Sequence, residues 1–77
     1  MNAIEAAIAA IVADIRQAEF APGESERSFR ELDIDSLEVA NILLAVEEQY
    51  AIKIPDADVD ALTSVAALAR YVEARVA

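Results

Sequence analysis

The sequence predicts an all-α fold, a small helical bundle of three main helices plus one short helix. Three segments repeat apolar residues at helical spacing, near residues 3–17, 36–50 and 65–76. Proline and glycine residues interrupt the chain between these segments. At 77 residues the chain has room for one small core, so we expect a single domain over residues 1–77.

The first predicted helix runs from about residue 3 to residue 17. Its apolar residues share one face of the helix, whereas Glu5, Asp14 and Arg16 lie outside that face. This pattern is typical of an amphipathic helix that packs against a core. The apolar face consists of Ile4, Ala7, Ile8, Ile11, Val12 and Ile15.

Residues 18–35 break the helical pattern and form a long connection. Pro22 and Gly23 indicate a turn, and the residues that follow are mostly polar. A connection of this length is unusual in a small domain unless side chains hold it to the core. We expect Phe29 and Leu32 to provide that anchor.

The second main helix should begin at Ser36. Asp35 is a favourable N-cap, and Glu38 lies three residues later, where a capping-box partner belongs. Apolar residues occupy more than half of the helix circumference, so we expect some of them to face a partner protein, with Val39 and Leu44 the most exposed. The apolar residues are Leu37, Val39, Ala40, Ile42, Leu43, Leu44, Val46 and Tyr50.

The C-terminal part of the chain predicts a short helix followed by the last main helix. Pro55 ends an extended stretch, and Asp56 is expected to cap a helical turn that continues to Leu62. Thr63 or Ser64 then caps the last helix. The inward face of that helix is expected to contain Val65, Leu68, Ala69 and Val72.

The composition excludes several classes of function. The chain contains no cysteine and no histidine, which excludes disulfides, ordinary zinc sites and a histidine-activated nucleophile. Fifteen acidic residues against six basic ones give a formal charge of −9. A field of this sign repels nucleic acids and anionic membranes and attracts basic protein surfaces. We therefore expect protein partners, no nucleic-acid or membrane partner, no enzymatic activity, and a monomer.

Two further patterns resemble familiar signals without meeting their requirements. Asp56, Asp58 and Asp60 imitate the start of a calcium loop, but Ala61 stands at the glycine position and Ala67 at the bidentate glutamate position. We therefore predict no metal site. The apolar run over residues 6–13 has no basic leading region and is too short to span a bilayer. We accordingly expect a cytoplasmic location.

Ser36 is the residue most informative about function. It is expected at the first turn of a surface helix, where free N–H groups and the helix dipole favour an attached phosphodiester. Without a neighbouring base, the hydroxyl is better suited to covalent modification than to nucleophilic catalysis. Because serines are common at helix starts, position alone also permits an ordinary structural serine.

Three motifs at matching distances make the chain resemble the acyl carrier proteins. The resemblance covers essentially the whole chain, including helix order, the long first connection, length and acidity. The motifs are Leu32 to Leu37 (LDIDSL), the Glu47-Glu48 pair with Tyr50, and Ile54-Pro55-Asp56.

The resemblance implies a 4′-phosphopantetheine arm, transferred from coenzyme A to Ser36 by a phosphopantetheinyl transferase, whose thiol carries acyl groups as thioesters. It also implies docking by synthase-type and acyl-transferring enzymes with basic patches, in fatty-acid, lipid or polyketide synthesis. A core that parts slightly would shelter the acyl chain among Ile11, Leu43, Val46, Leu62 and Leu68. The implied recognition face consists of Asp35, Leu37, Glu38, Val39, Leu44, Glu47 and Glu48.

The chain departs from the family pattern at several positions. Asp33 stands where the family usually has glycine, Asn41 and Gln49 replace common glutamates, and Ala40 replaces a larger aliphatic residue. The recognition face is therefore less acidic, which favours a specialised carrier as much as a general fatty-acid carrier. A carrier of aminoacyl or peptidyl groups and an unmodified acidic helical adaptor remain alternatives.

Overall fold

A computed structural model of the chain describes residues 2–76 and confirms the all-α fold. The three main helices are α1 (Ala3–Arg16), α2 (Ser36–Tyr50) and α4 (Val65–Val76), and the short helix is α3 (Asp56–Val59). A 3₁₀ turn at Pro22–Glu24 lies in the long connection. α1 packs against both α2 and α4. Positions 1 and 77 of the predicted domain lie outside the described residues.

The core lies where the three main helices meet. Each main helix contributes fully buried aliphatic side chains, and these come from the inward faces that the periodicity predicted. Burying one such side chain stabilises the fold by about 1.5–3 kcal/mol relative to leaving it exposed. The most deeply buried residues are Ile8, Val12, Ile42, Val46, Val65, Leu68 and Val72.

Local hydrogen bonds explain where α4 begins. The sequence left Thr63 and Ser64 as alternative caps, and the structure selects Ser64, whose Oγ accepts a hydrogen bond from the Ala67 N–H at 3.1 Å. The carbonyl of Thr63 instead accepts from the Phe29 N–H at 2.7 Å. The start of α4 is therefore tied to the long first connection.

The long connection is anchored as predicted. Phe29 is 3% exposed, and Leu32 is half-buried against the core. A second backbone bond, from the Ala66 N–H to the Ser25 carbonyl at 2.9 Å, adds to the bond between Phe29 and Thr63. Ile34 is also buried, although the sequence did not single it out.

The prediction for the short helix was wrong in two details. Pro55, not Asp56, occupies the N-cap position, and α3 ends at Val59 instead of continuing to Leu62. The helix ends at Val59 because the Leu62 N–H bonds to the Val59 carbonyl, three residues earlier instead of four. Such bonds belong to a tighter, 3₁₀-type turn, and Leu62 beyond it is 4% exposed.

The backbone at Asp33 explains why this position favours glycine. Its φ angle is +59°, in the left-handed region where a β-carbon is unfavourable. Asp33→Gly should therefore raise the free energy of unfolding by about 0.5–1 kcal/mol, after the extra flexibility of glycine in the unfolded chain is included. Urea denaturation of both proteins measures this change.

Asp60→Gly is the matched control for that prediction. Asp60 has φ of −63° and lies on the surface, so glycine gives no relief there and should cost up to about 1 kcal/mol. If both variants lose stability equally, the left-handed backbone at Asp33 is not a source of strain.

Candidate functional site

An open groove lies between α2 and the segment that contains α3, and Ser36 lies at its rim. The long first connection contributes part of the lining of this groove. Its lining combines an apolar floor with an acidic rim, and Arg30 is the single basic residue among the described residues that line it. The floor is formed by the buried side chains of Phe29, Ile34, Leu43, Ile54 and Leu62.

The helix cap next to Ser36 is complete without the serine. The Asp35 carboxylate accepts from the Glu38 N–H at 2.8 Å, and the Glu38 carboxylate accepts from the Asp35 N–H at 3.1 Å. This reciprocal pair is the predicted capping box. Ser36 is the first residue of α2, and its side chain is exposed. Its hydroxyl is therefore not required to begin the helix.

The other three serines of the chain have structural roles. The Ser25 hydroxyl donates to the Glu5 carboxylate, the Ser28 hydroxyl accepts from the Glu31 N–H, and Ser64 caps α4. Ser25 and Ser64 are also buried. Among residues 2–76, Ser36 is thus the serine that is exposed and whose hydroxyl makes no hydrogen bond within the domain.

Exposure differs among the apolar residues named for the recognition face. Leu44 is 55% exposed as predicted, but Leu37 is 70% exposed and is the more accessible of the two. Val39 is half-buried, lines the groove and packs against the core. The expectation that Val39 is among the most exposed residues was therefore wrong. Tertiary packing covers Val39, whereas Leu37 in the first turn has no such cover.

The acidic residues of the same face also differ in their surroundings. Asp35 and Glu48 are exposed. Glu38 and Glu47 are half-buried, and the carboxylate of each accepts a backbone hydrogen bond. The side chains of Glu38 and Glu47 are therefore already engaged within the domain.

The residues named as a shelter for an acyl chain divide into two groups. Leu43 and Leu62 line the groove. Ile11, Val46 and Leu68 do not line it: Val46 and Leu68 belong to the core, and Ile11 is partly buried against that core. Sequence reasoning did not include Phe29, Ile34, Ile54 and Val59 in the shelter, although their apolar character and their place beside turns were available as a signal.

A polar contact joins α3, which forms one wall of the groove, to α4. The Tyr71 hydroxyl donates to Asp58 Oδ2 at 2.6 Å, and Arg75 Nη2 lies 3.5 Å from the same oxygen. The Arg75 guanidinium also lies over the Tyr71 ring, 3.5 Å from its centroid. One aspartate of the calcium-like pattern is thus engaged with α4. Among the described residues no group of side chains is arranged to hold a metal ion.

This contact predicts a loss of stability at high pH. The hydrogen bond to the Asp58 carboxylate, assisted by burial, raises the pKa of Tyr71 above its ordinary value of 10.0. The folded state therefore holds the phenol proton more tightly than the unfolded state, so this stabilisation is complete below pH 10 and is lost as pH rises through the folded-state pKa.

The measurement is urea denaturation between pH 9 and pH 11 for the wild type and Tyr71→Phe. The wild type should lose stability more steeply with pH than the variant. Parallel curves of unfolding free energy against pH would show that Asp58 does not stabilise the protonated Tyr71.

None of the helices in residues 2–76 is both long enough and apolar enough to cross a membrane.

Comparison with known proteins gives matches across most of the chain. The family model described as "Phosphopantetheine attachment site" matches residues 6–72. The "Acyl carrier protein, mitochondrial" of Dictyostelium discoideum is 50% identical over 44 residues, which are 57% of this chain and 37% of the relative. The "Meromycolate extension acyl carrier protein" of Mycobacterium leprae is 37% identical over 71 residues, which are 91% of this chain and 62% of the relative.

A third relative matches over a larger share of its own length. The "Meromycolate extension acyl carrier protein" of Mycolicibacterium aurum is 35% identical over 71 residues, which are 91% of this chain and 73% of the relative. The matched part is less than two thirds of the length of the Dictyostelium and Mycobacterium leprae relatives.

Proposed function

The chain belongs to the acyl carrier protein family, and from this membership we propose that Ser36 is the residue that receives its 4′-phosphopantetheine arm. Members of the family are carriers and not enzymes. In the proposed reaction, Ser36 Oγ forms a bond to the phosphorus of the phosphopantetheine. The pyrophosphate bond of coenzyme A breaks, adenosine 3′,5′-bisphosphate leaves, and the serine proton passes to a base of the transferase. The attached arm supplies a thiol that carries an acyl group as a thioester.

The observation that carries this proposal is the free, exposed hydroxyl of Ser36 beside a complete helix cap. The first turn of α2 presents N–H groups, and its dipole favours a phosphodiester there. The groove that Ser36 lines has an apolar floor, which suits the methylene groups of an acyl chain. Arg30 at the same groove is a cation that partly offsets the nearby acidic residues.

We propose docking by a phosphopantetheinyl transferase and by synthase and acyl-transferring enzymes of lipid synthesis. Exposed Leu37 and Leu44 provide apolar contacts, and exposed Asp35 and Glu48 attract basic patches. Such encounters between charged surfaces are fast and weaken as salt concentration rises. A monomeric single carrier domain over residues 1–77 and a cytoplasmic location remain parts of this proposal, although the Dictyostelium relative is named as mitochondrial.

The test is intact-protein mass after incubation with coenzyme A, Mg²⁺ and a broad-specificity phosphopantetheinyl transferase. A gain of one phosphopantetheine, located at Ser36 by peptide mapping, supports the proposal. A protein left unmodified by several transferases would favour the acidic adaptor instead. Once the arm is attached, the thioesters isolated from cells distinguish an acyl carrier from an aminoacyl or peptidyl carrier.

A further inference from the structure

Glu47 holds the segment that follows α2 through both its backbone and its side chain. Its carbonyl accepts from the N–H groups of Ala51 and, at 3.2 Å, Ile52. Its carboxylate Oε2 accepts from the Ile54 N–H at 2.8 Å. The carboxylate bond reaches seven residues along the chain, beyond the end of the helix. One residue therefore fastens the 51–54 segment against the last turn of α2.

The position of Ile54 matters for the groove. Its side chain is 9% exposed and lines the groove. It precedes Pro55, the N-cap of α3, so the backbone at Ile54 sets where α3 begins. α3 contributes Asp56 and Val59 to the same lining. The hydrogen bond at Ile54 therefore lies directly beside one wall of the groove.

Glu48 provides a contrast within the same pair of glutamates. The two residues are adjacent and carry the same charge, but Glu48 is exposed whereas Glu47 is half-buried and lines the groove. The Glu47 carboxylate provides an acceptor for the part-buried Ile54 N–H, and a buried donor left without an acceptor lowers stability. The side chain of Glu47 is therefore engaged internally, while that of Glu48 is directed to solvent.

We propose that Glu47 is a positioning residue for the groove, and that its carboxylate keeps Ile54 and the start of α3 in place over the bound acyl chain. This inference rests on the proposed carrier function, because that function supplies the acyl chain that the groove would hold. It assigns Glu47 to the retention of cargo within the domain, while Glu48 remains available to basic partners. The relevant property of Glu47 is its acceptor oxygen and not its charge.

Four variants separate the acceptor from the charge. Glu47→Gln keeps an acceptor oxygen and removes the charge, whereas Glu47→Ala removes both. Glu48→Gln and Glu48→Ala make the same changes at the exposed neighbour. The first measurement is hydrogen exchange of the Ile54 amide in the unmodified proteins, with the Leu68 amide as a reporter of global opening because Leu68 is fully buried in α4.

We expect Glu47→Ala to lower the protection of the Ile54 amide by about tenfold relative to that of Leu68. Glu47→Gln should restore most of this protection, and both Glu48 variants should match the wild type. An equal fall at Ile54 and Leu68 would indicate general destabilisation and overturn the proposal. Loss of Ile54 protection in Glu47→Gln as large as in Glu47→Ala would assign the effect to charge and also overturn it.

The second measurement is alkaline hydrolysis of an octanoyl thioester on the arm of each variant, without any partner enzyme. We expect Glu47→Ala to lose the thioester several-fold faster than the wild type, with Glu47→Gln close to the wild type. Equal rates in all variants would overturn the role in cargo retention. Failure of the wild type to accept the arm would instead reject the proposed carrier function. Hydrogen exchange of the Ile54 amide would still test whether Glu47 holds this wall of the groove in place.

Discussion

Ser36→Ala should abolish attachment of phosphopantetheine while leaving the free energy of unfolding within about 0.5 kcal/mol of the wild type. Modification requires the Oγ atom, which alanine lacks. Stability does not require the Oγ atom, because Asp35 and Glu38 complete the cap of α2 without the serine. Intact-protein mass after the transferase reaction measures the first effect, and urea denaturation measures the second.

Ser64→Ala is the control with the opposite expected outcome. Ser64 is buried, and its hydroxyl caps α4, so its removal should cost about 1 kcal/mol of stability. The Ser64→Ala variant should still accept the arm, because Ser36 is intact. A Ser36→Ala protein that gains the arm, or that loses as much stability as Ser64→Ala, would contradict the assignment of Ser36.

Leu68→Ala should destabilise the domain by about 2–5 kcal/mol, because it removes a fully buried side chain and leaves a cavity that the core fills only in part. For a domain of this size, a change of 1 kcal/mol shifts the melting temperature by about 4–8 °C. We therefore expect a fall in melting temperature of about 10 °C or more. Calorimetry or thermal denaturation followed by circular dichroism measures it.

Leu44→Ala makes the same chemical change on the surface. Leu44 is 55% exposed, so its truncation should alter stability by no more than about 0.5 kcal/mol. It should instead weaken docking of partner enzymes, which a rise in KM for the transferase measures. Similar melting temperatures for the two variants would show that Leu68 does not contribute to the core as described.

The sequence predicted the three main helices well, because they depend on local rules. The capping box of Asp35 and Glu38 joins residues three positions apart, and such contacts follow from helix geometry alone. The inward faces of α1 and α4 likewise follow from apolar spacing. Ser36 could be singled out because its place at a helix start can be read from its immediate neighbours.

The errors occur where contacts between distant segments determine the outcome. Periodicity cannot distinguish Val39, which packing covers, from Leu37, which stays exposed. It also cannot separate Glu47 from Glu48, because the partner of Glu47 is the N–H of Ile54 beyond the end of the helix. The end of α3 at Val59 has a local cause instead, because the Leu62 N–H bonds to the Val59 carbonyl in a tight turn.

Local sequence was thus sufficient for the three main helices, the cap of α2 and the place of Ser36 at the start of that helix. The groove beside that residue required tertiary packing, because its floor combines Phe29 of the first connection with Leu43 of α2 and Leu62 after α3. No short-range pattern specifies that these three side chains meet. Their meeting results from burial of apolar surface between segments far apart in the chain, which is a property of the whole fold.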